Sequence, residues 1–591
     1  MARDPGGSVH ASRPIRQSGR SSGVEHNLAK VGVEGSNPFA RSSVFLTVTM
    51  ACSAAPAFAR QPRMHLDLGE TRPGRLEAEV AIVGAGAAGL TLARRLIEGG
   101  KSVVLLESGG IDYESATAEL NFGTNVGQEY YPLQDSRLRF VGGTTAIWGG
   151  RVAELDAIDF KQRDWVPHSG WPFGRAALDP YYRASRALLD LPAEGPAGPS
   201  SLLDQLDPEV VERRDWLIDP TFDRFGYAAQ RTLFDDPRLT LVTHATVREV
   251  RAAPDGGQIA ALDVVGPDGQ PLVVVAHDYV LAAGGLENPR LLLASRSVMP
   301  AGLGNGHDLV GRFFMEHPHG RGGRVIAQPA IAWQLIRAFQ KQAQGNFETA
   351  ALIRPSDRLQ TNRRILNSAL ALAVRRSEGE RQPAVTAAYL AAKHKVEPTR
   401  AGRAAWRTYK EAGRLLRRGV GPLIWWLRAQ GRRNELTLVL RAEQAPNRDS
   451  RILLDETDLD AAGVPRMKLD WRLLPLDRIS AATLVDAFGT ELERLGLARV
   501  EPAAWLSDTA ENWVSDPLVS VHALGGYHHM GTTRMAQDPR HGVTDDQGRV
   551  HGLPNLWVAG SSLFPTGGWA NPTLTILALA LRQADRLLGR A

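Results

Sequence analysis

Residues 525–535 read GGYHHMGTTRM, placing His528 beside His529 just ahead of a Gly-Thr-Thr. A neutral imidazole, with an ordinary pKa of about 6.5, suits proton abstraction near neutral pH. On an extended segment adjacent side chains point to opposite faces, so at most one of the pair faces a given reaction centre. The same divergence disfavours the pair as joint metal ligands, and no third ligand is apparent. His317 and His319, in MEHPH, invite the same metal reading, and a structural role is expected for them instead. The serines of GSS, 560–562, have no hydrolase elbow around them, which argues against a serine nucleophile. Asn571 precedes Pro572 ahead of an apolar closing helix, a position where it would cap that helix.

The elements that must carry these residues begin at AEVAIVGAGAAGLTLARRLIEGGKSVVLLESGG. Ala78 to Val83 is an apolar run of strand length, Gly84 to Gly89 a glycine turn, Leu90 to Glu98 a helical stretch, and Ser102 to Glu107 a second strand. The turn Gly84-Ala85-Gly86-Ala87-Ala88-Gly89 is G-x-G-x-x-G in the strand–turn–helix setting that gives the motif meaning. Gly84 permits the tight turn, Gly86 lets backbone approach a pyrophosphate at the helix N-terminus, and Gly89 lets helix and strand pack closely. Glu107 is expected to accept hydrogen bonds from a ribose. An acid there favours FAD or NAD over NADP. Further along, RLRFVGGTTAIWGG (137–150) is a second glycine-rich loop, and residues 271–296 run from strand through Gly284-Gly285 into a helix.

The chain has 591 residues, too many for one hydrophobic core. Its net charge of +5 sits in the N-terminal tail: residues 1–63 carry eight basic groups against three acidic ones, leaving the rest formally neutral. A general nucleic-acid-binding reading therefore fails. The single cysteine, Cys52, lies in the same tail, which excludes disulfides and thiolate sites from the body. SGRSSGVEHNLAKVGVEGSNPFARSS resembles the translation of a transfer-RNA gene, which would put the true start at Met50 or Met64. The rival reading makes VFLTVTMACSAAPAFA a signal peptide. Residues 1–75 are expected to be a disordered or misassigned extension, and the protein to be cytoplasmic or peripheral at a membrane.

Together these motifs resemble the glucose–methanol–choline (GMC) oxidoreductases. The fingerprint at 84–89, VGGTTAIWGG, YHHMGTTRM and VTDDQGRVHGLPNLWVAGSSLFPTGGWANPTLT fall in family order across 76–591. The last is closest to the branch of pyranose 2-oxidase and the fructose dehydrogenase large subunit. The resemblance implies a discontinuous Rossmann-like FAD-binding domain (76–160, 225–320 and 516–591). It also implies an interleaved α+β substrate or cap domain (161–224 and 321–515) built on an antiparallel sheet flanked by helices. It implies oxidation of an alcohol CH–OH, such as a sugar or glycoside secondary hydroxyl, with hydride transfer to flavin. His528 matches the family's catalytic base, His529 falls where many members have proline, and Asn571 matches the partner that hydrogen-bonds substrate oxygen. Flavin contacts are implied for Gly84, Ala85, Gly86, Ala87, Ala88, Gly89, Glu107 and Ser108, and for Gly142, Gly143, Thr144, Thr145, Trp148 and Gly149. They are implied also for Val247, Ala283, Gly284, Gly560, Ser561, Asn571, Pro572 and Thr573. Pyranose 2-oxidase bonds its flavin through a histidine before the loop tryptophan; Ile147 stands there, so non-covalent FAD is expected.

Residues 391–433 hold twelve Lys or Arg against Glu397 and Glu411. Arg403, Arg407, Lys410, Arg414 and Arg417 repeat at helical spacing beside Trp406 and Tyr409. A solvated face is one reading; contact with an acidic membrane or an electron-accepting partner is the other. The electron acceptor, whether oxygen, quinone or cytochrome, is left open. Two further classes remain: a non-catalytic flavin-binding module, and a lyase that keeps flavin as structure.

Overall fold

The apolar run at 78–83 becomes the middle of strand Arg75–Val83 in the computed structural model. The structure describes residues 65–193, 202–221, 223–381, 384, 397–429, 434–507, 512–520 and 522–590. The readings of the first 64 residues lie outside them.

Arg75–Val83 sits inside an eight-stranded sheet, parallel to Val103–Leu106 on one side and to Pro271–Leu281 on the other. Leu239–Thr243 and then His65–Asp67 extend the parallel part at one edge. At the other, Ile259–Val265 and Thr246–Ala252 add antiparallel strands, and Leu556–Val558 pairs with the end of Pro271–Leu281. Strands this apolar need cover on both faces. Helices Ala87–Glu98 and Thr573–Leu587 provide part of it, their leucines and alanines joining the sheet in one core. Every parallel strand ends on the same side, where open α/β sheets bind ligands.

The second sheet is antiparallel throughout, in the order Arg499–Pro502, His319–Ile326, Asn434–Arg441, Ala369–Arg376, Phe347–Pro355, Val211–Ile218, Arg151–Val152. Alternation along its strands separates two faces. Leu438, Leu440, Leu370, Leu372 and Ile353 pack in a second core with helices Pro329–Phe339 and Pro475–Arg494. Trp216, Ala350 and Ala369 turn the other way, into the core shared with the first sheet. The Rossmann-like domain with an interleaved antiparallel cap is the fold observed.

Several expected boundaries are corrected. Residues 65–75 belong to the fold: His65–Asp67 is an edge strand, and Asp67 accepts a hydrogen bond from His244 at 2.7 Å. A three-residue strand carries no readable period, because its partner lies far along the chain. Residues 161–191, expected in the cap, pack on the flavin side. Trp171, Leu178 and Tyr182 lie in the first core, and Tyr182 Oη meets Thr575 Oγ1 of the closing helix at 2.8 Å. Conversely Arg151–Val152, expected in the first domain, edges the cap sheet. The hairpin Arg451–Leu459/Pro465–Asp470, expected in the cap, pairs with Gly123–Asn125 and packs against helix Gly284–Ala294.

Helix Arg400–Ala429 spans much of the basic stretch. Arg403, read with a common basic face, is instead ion-paired to Asp112 at 2.6 Å and Asp223 at 3.1 Å, with Phe140 under its guanidinium. It anchors the helix start. Tyr409, Leu415, Val420, Leu423 and Leu427 are exposed. The side chains of Arg414 and Arg417 lie outside the described residues, as does the rest of the 391–433 reading at 391–396 and 430–433.

Candidate active site

The three fingerprint glycines are each required for a different steric reason. Gly84 has φ of +105°, and a Cβ there would meet Ala282 O at 2.7 Å. At Gly89 a Cβ would stand 2.0 Å from Gly84 O, so only glycine lets the helix pack on its turn. Around Gly86 nothing lies within 4 Å of such a Cβ. Gly284 and Gly560, both at positive φ at the ends of neighbouring strands, have the same open space beside them. Gly142, at φ of +100°, donates its N–H to Ala85 O at 2.8 Å, and a Cβ on Gly143 would come within 3.6 Å of Gly86 Cα. The two glycine loops are thus in contact. Thr144 and Thr145 brace the second loop through Leu138 N–H and Gly142 O, while Trp148 packs on the first core beside Gly149.

A cleft at these strand ends is lined by Gly84, Ser108, Val247 and Ala283, with Arg139, Glu287 and Arg290. Glu107 has a loop-bracing duty besides the expected one: its carboxylate accepts the N–H groups of Ala85 and Gly109, both at 3.0 Å. Each oxygen keeps a lone pair for a ribose hydroxyl. Ser561 donates its hydroxyl to His529 O at 2.6 Å. Pro572 occupies the cap position and Thr573 opens the closing helix, so Asn571 does not cap it.

The segment holding the two histidines bridges to the MEHPH segment. Met315 and Met530 exchange backbone hydrogen bonds, both at 3.0 Å. The histidines themselves are not in a strand, and Tyr527 has φ of +60°. Their rings diverge all the same. His528 Nδ1 lies 2.7 Å from His317 Nδ1, and its Nε2 lies 3.1 Å from Asn571 Nδ2. His529 Nε2 lies 3.0 Å from the Tyr130 hydroxyl, on the other side. A Cβ at Gly526 would meet the His528 ring at 2.6 Å, which is why glycine precedes it.

The contacts fix which nitrogen bears hydrogen. His317 Nε2 faces Gly568 O at 2.8 Å, an acceptor, so Nε2 carries the hydrogen and Nδ1 of the neutral ring is a lone pair. His528 Nδ1 must then donate to it. That leaves His528 Nε2 as a lone pair, met by an Asn571 N–H. Enclosure first, and then electrostatic opposition from the neighbouring histidines and Arg441 to a further positive charge, holds the His528 pKa well below the usual value. His528 keeps some accessible surface.

Beneath the histidines lies Glu316, fully buried. It accepts the Tyr130 hydroxyl at 2.6 Å and the backbone N–H groups of His317, Gly526 and His528 at 2.7, 3.1 and 2.9 Å. Since Tyr130 donates to Glu316, His529 Nε2–H donates to Tyr130, and that nitrogen has no lone pair to offer. Glu316 and Tyr130 escaped the sequence reading, and His317, expected to be structural, was not tied to His528. Only the alternation of Glu316 and His317 opposite YHHM hinted at them. No group of three potential metal ligands converges among the described residues.

Such a cradle, with open glycines at three strand ends and an acid beside the first turn, fits a flavin dinucleotide. Residues 79–302 match the family described as FAD dependent oxidoreductase. The chain is an FAD-dependent oxidoreductase. Residues 446–580 match the family described as GMC oxidoreductase, and the chain belongs to the GMC oxidoreductases, which act on CH–OH groups. It is 25% identical to paromamine 6'-oxidase of Streptomyces fradiae, across 89% of this chain and 94% of that one. It is 24% identical to the fructose dehydrogenase large subunit of Gluconobacter japonicus, across 87% of this chain and 98% of that one. Pyridoxine 4-oxidase from Mesorbium loti shares the fold, with a TM-score of 0.51 at 17% identity over 86% of this chain and 98% of that one.

Proposed function

We propose that the protein oxidises a secondary hydroxyl of a sugar or glycoside to a carbonyl, with His528 Nε2 taking the hydroxyl proton. The observation that carries this is the hydrogen-bond chain Gly568–His317–His528–Asn571, which leaves an unprotonated nitrogen beside a neutral amide. Asn571 holds the substrate oxygen as charge develops on it. FAD, when bound, supplies the acceptor for the carbinol hydride. Gly84 to Gly89, Glu107, Ser108, Gly142 to Thr145, Val247, Ala283, Gly284 and Gly560 to Ser561 would hold it. The sugar reading also draws on the relatives named above, one acting on paromamine and one on fructose.

Anaerobic titration of the flavoprotein with a panel of sugars, glycosides and simple alcohols tests this. Bleaching of the flavin by a sugar is expected; no bleaching by any alcohol would leave a lyase or a flavin-binding module as the better reading. Admitting oxygen then separates oxidase, which recolours rapidly, from a dehydrogenase using a quinone or cytochrome. We also propose that FAD is not covalently bound, since Ile147 offers no bonding group. Acid precipitation should leave a colourless pellet and a yellow supernatant.

Helix Arg400–Ala429 supports a peripheral membrane contact in the alternative where electrons pass to a quinone or cytochrome. Its exposed Tyr409, Leu415, Val420, Leu423 and Leu427 lie among basic residues, and each Lys or Arg near an anionic surface contributes about 1 kcal/mol. Salt-sensitive binding to anionic liposomes is expected. Absence of binding at low salt would end the proposal. Among the described residues no helix is long and apolar enough to cross a membrane.

A further inference from the structure

The face of the cap sheet turned toward the flavin domain carries two arginines without acidic partners. His319, Arg441 and Ala369 are lateral neighbours on three adjacent strands, so they share that face. Trp216 lies on it beside Ala350, and Arg151 borders it from the edge strand. The guanidinium carbons of Arg151 and Arg441 stand 5.5 and 5.4 Å from the centre of the Trp216 ring. One aromatic side chain therefore has two cations against it.

Three other deep arginines meet carboxylates: Arg163 with Glu443, Arg290 with Asp460, Arg354 with Glu212. Among the described residues no carboxylate oxygen lies within 4.0 Å of the Arg151 or Arg441 guanidinium. Arg441 donates to His319 Nε2 at 2.8 Å. That ring is neutral toward it, because His319 Nδ1–H is committed to His522 O at 2.6 Å. Arg151 Nε and Trp216 Nε1 are buried donors with no acceptor. Glu348, the acid nearest in register to Arg151, is engaged by Lys341 at 3.1 Å. Burial and the neighbouring guanidiniums of Arg151 and Arg375 lower Arg441 to about 9, so it is still a cation at neutral pH. A guanidinium enclosed without a counter-charge is stabilised when an anion arrives.

The cluster stands next to the candidate base. His317 and His319 are two residues apart, and His528 feels both His319 and Arg441 electrostatically. His528 bonds the first and Arg441 the second. Ala369 and Ala371 on the strand beside Arg441, and Ala350 beside Trp216, place only methyl groups next to the cluster.

We propose that Arg441 and Arg151 form a subsite for an anionic group, a carboxylate or a phosphate, on the sugar whose hydroxyl is presented to His528. The substrate class is then an acidic sugar. This rests on the reaction proposed above, yet the subsite can be tested without turnover.

The measurement is calorimetric binding of methyl β-D-glucuronide, glucose 6-phosphate and methyl β-D-glucoside to the FAD-loaded His528→Ala protein. A charge-assisted contact makes one of the two anions bind about tenfold more tightly than the neutral glucoside. Arg441→Gln should abolish that preference and Arg441→Lys keep part of it. If Arg441→Gln does not fold, Arg151→Gln, at the sheet edge, is read instead. A tighter glucuronide assigns the subsite to carboxylates, a tighter phosphate to sugar phosphates. No anion preference, whether from equal binding or from none, overturns the proposal, as does a preference that survives both glutamine variants. An Arg441-dependent preference without flavin bleaching by any sugar would keep the subsite and reject the reaction.

Discussion

Replacing His528 by alanine lowers the rate of flavin reduction by about a thousandfold, the usual worth of a positioned general base. The variant keeps its flavin, since none of the strand-end glycines depends on the imidazole. His529→Ala retains most of its turnover, because His529 Nε2–H is committed to Tyr130 and offers no base there. Its cost falls on stability, where a buried ring and its hydrogen bond are lost, on the order of 2 to 4 kcal/mol. Stopped-flow bleaching beside thermal unfolding separates the two effects. If both alanine variants reduce flavin equally slowly, the assignment of the base is wrong.

The pH dependence follows with a definite sign. The base acts when unprotonated, and its pKa is held well below 6.5 by enclosure and then by the neighbouring histidines and Arg441. The rate therefore stays level as pH falls through 6.5 and declines only further down. His317, lowered to about 4 by burial, must stay neutral to accept from His528. The unfolded chain binds a proton near pH 6.5 that the folded one refuses until about 4. Stability is thus lost as pH drops through that window.

How much of this was legible in the sequence differs from element to element. Gly84, Gly86 and Gly89 were readable because their spacing between a strand and a helix is local in the chain, even though the close contact at Gly84 is with distant Ala282. The flavin domain and the antiparallel cap were readable through ordered motifs and alternation. His65–Asp67 was not, since three residues hold no period. Helix Asp179–Leu188 was not, because its apolar face shows that it is covered and not by what; Thr575, far along the chain, answers that. Arg403 looked like one of a basic row until Asp112 and Asp223 closed on it. At the site His528 and Asn571 could be named, whereas Glu316 and His317 could not be tied to them. A buried acid gains its meaning from donors that converge on it, and those come from three separate stretches of chain.

Glu316 carries the second large effect. Glu316→Ala strips the acceptor from the Tyr130 hydroxyl and from three backbone N–H groups at once. Unmet buried donors cost about 1 to 3 kcal/mol each, so a total loss of about 4 kcal/mol is a conservative sum. The apparent unfolding temperature should fall by several degrees. Glu316→Gln is the sharper probe, since it preserves volume but turns an NH2 toward donors. It should still slow flavin reduction, because the His528 backbone N–H is what Glu316 holds and the ring follows its backbone. KM should change little, as Glu316 holds the His528 backbone and bonds neither His528 Nε2 nor Asn571. A Glu316→Gln protein with unaltered unfolding temperature and unaltered rate would show that the carboxylate only fills space. A lowered rate with normal KM would show that the base is aimed from below.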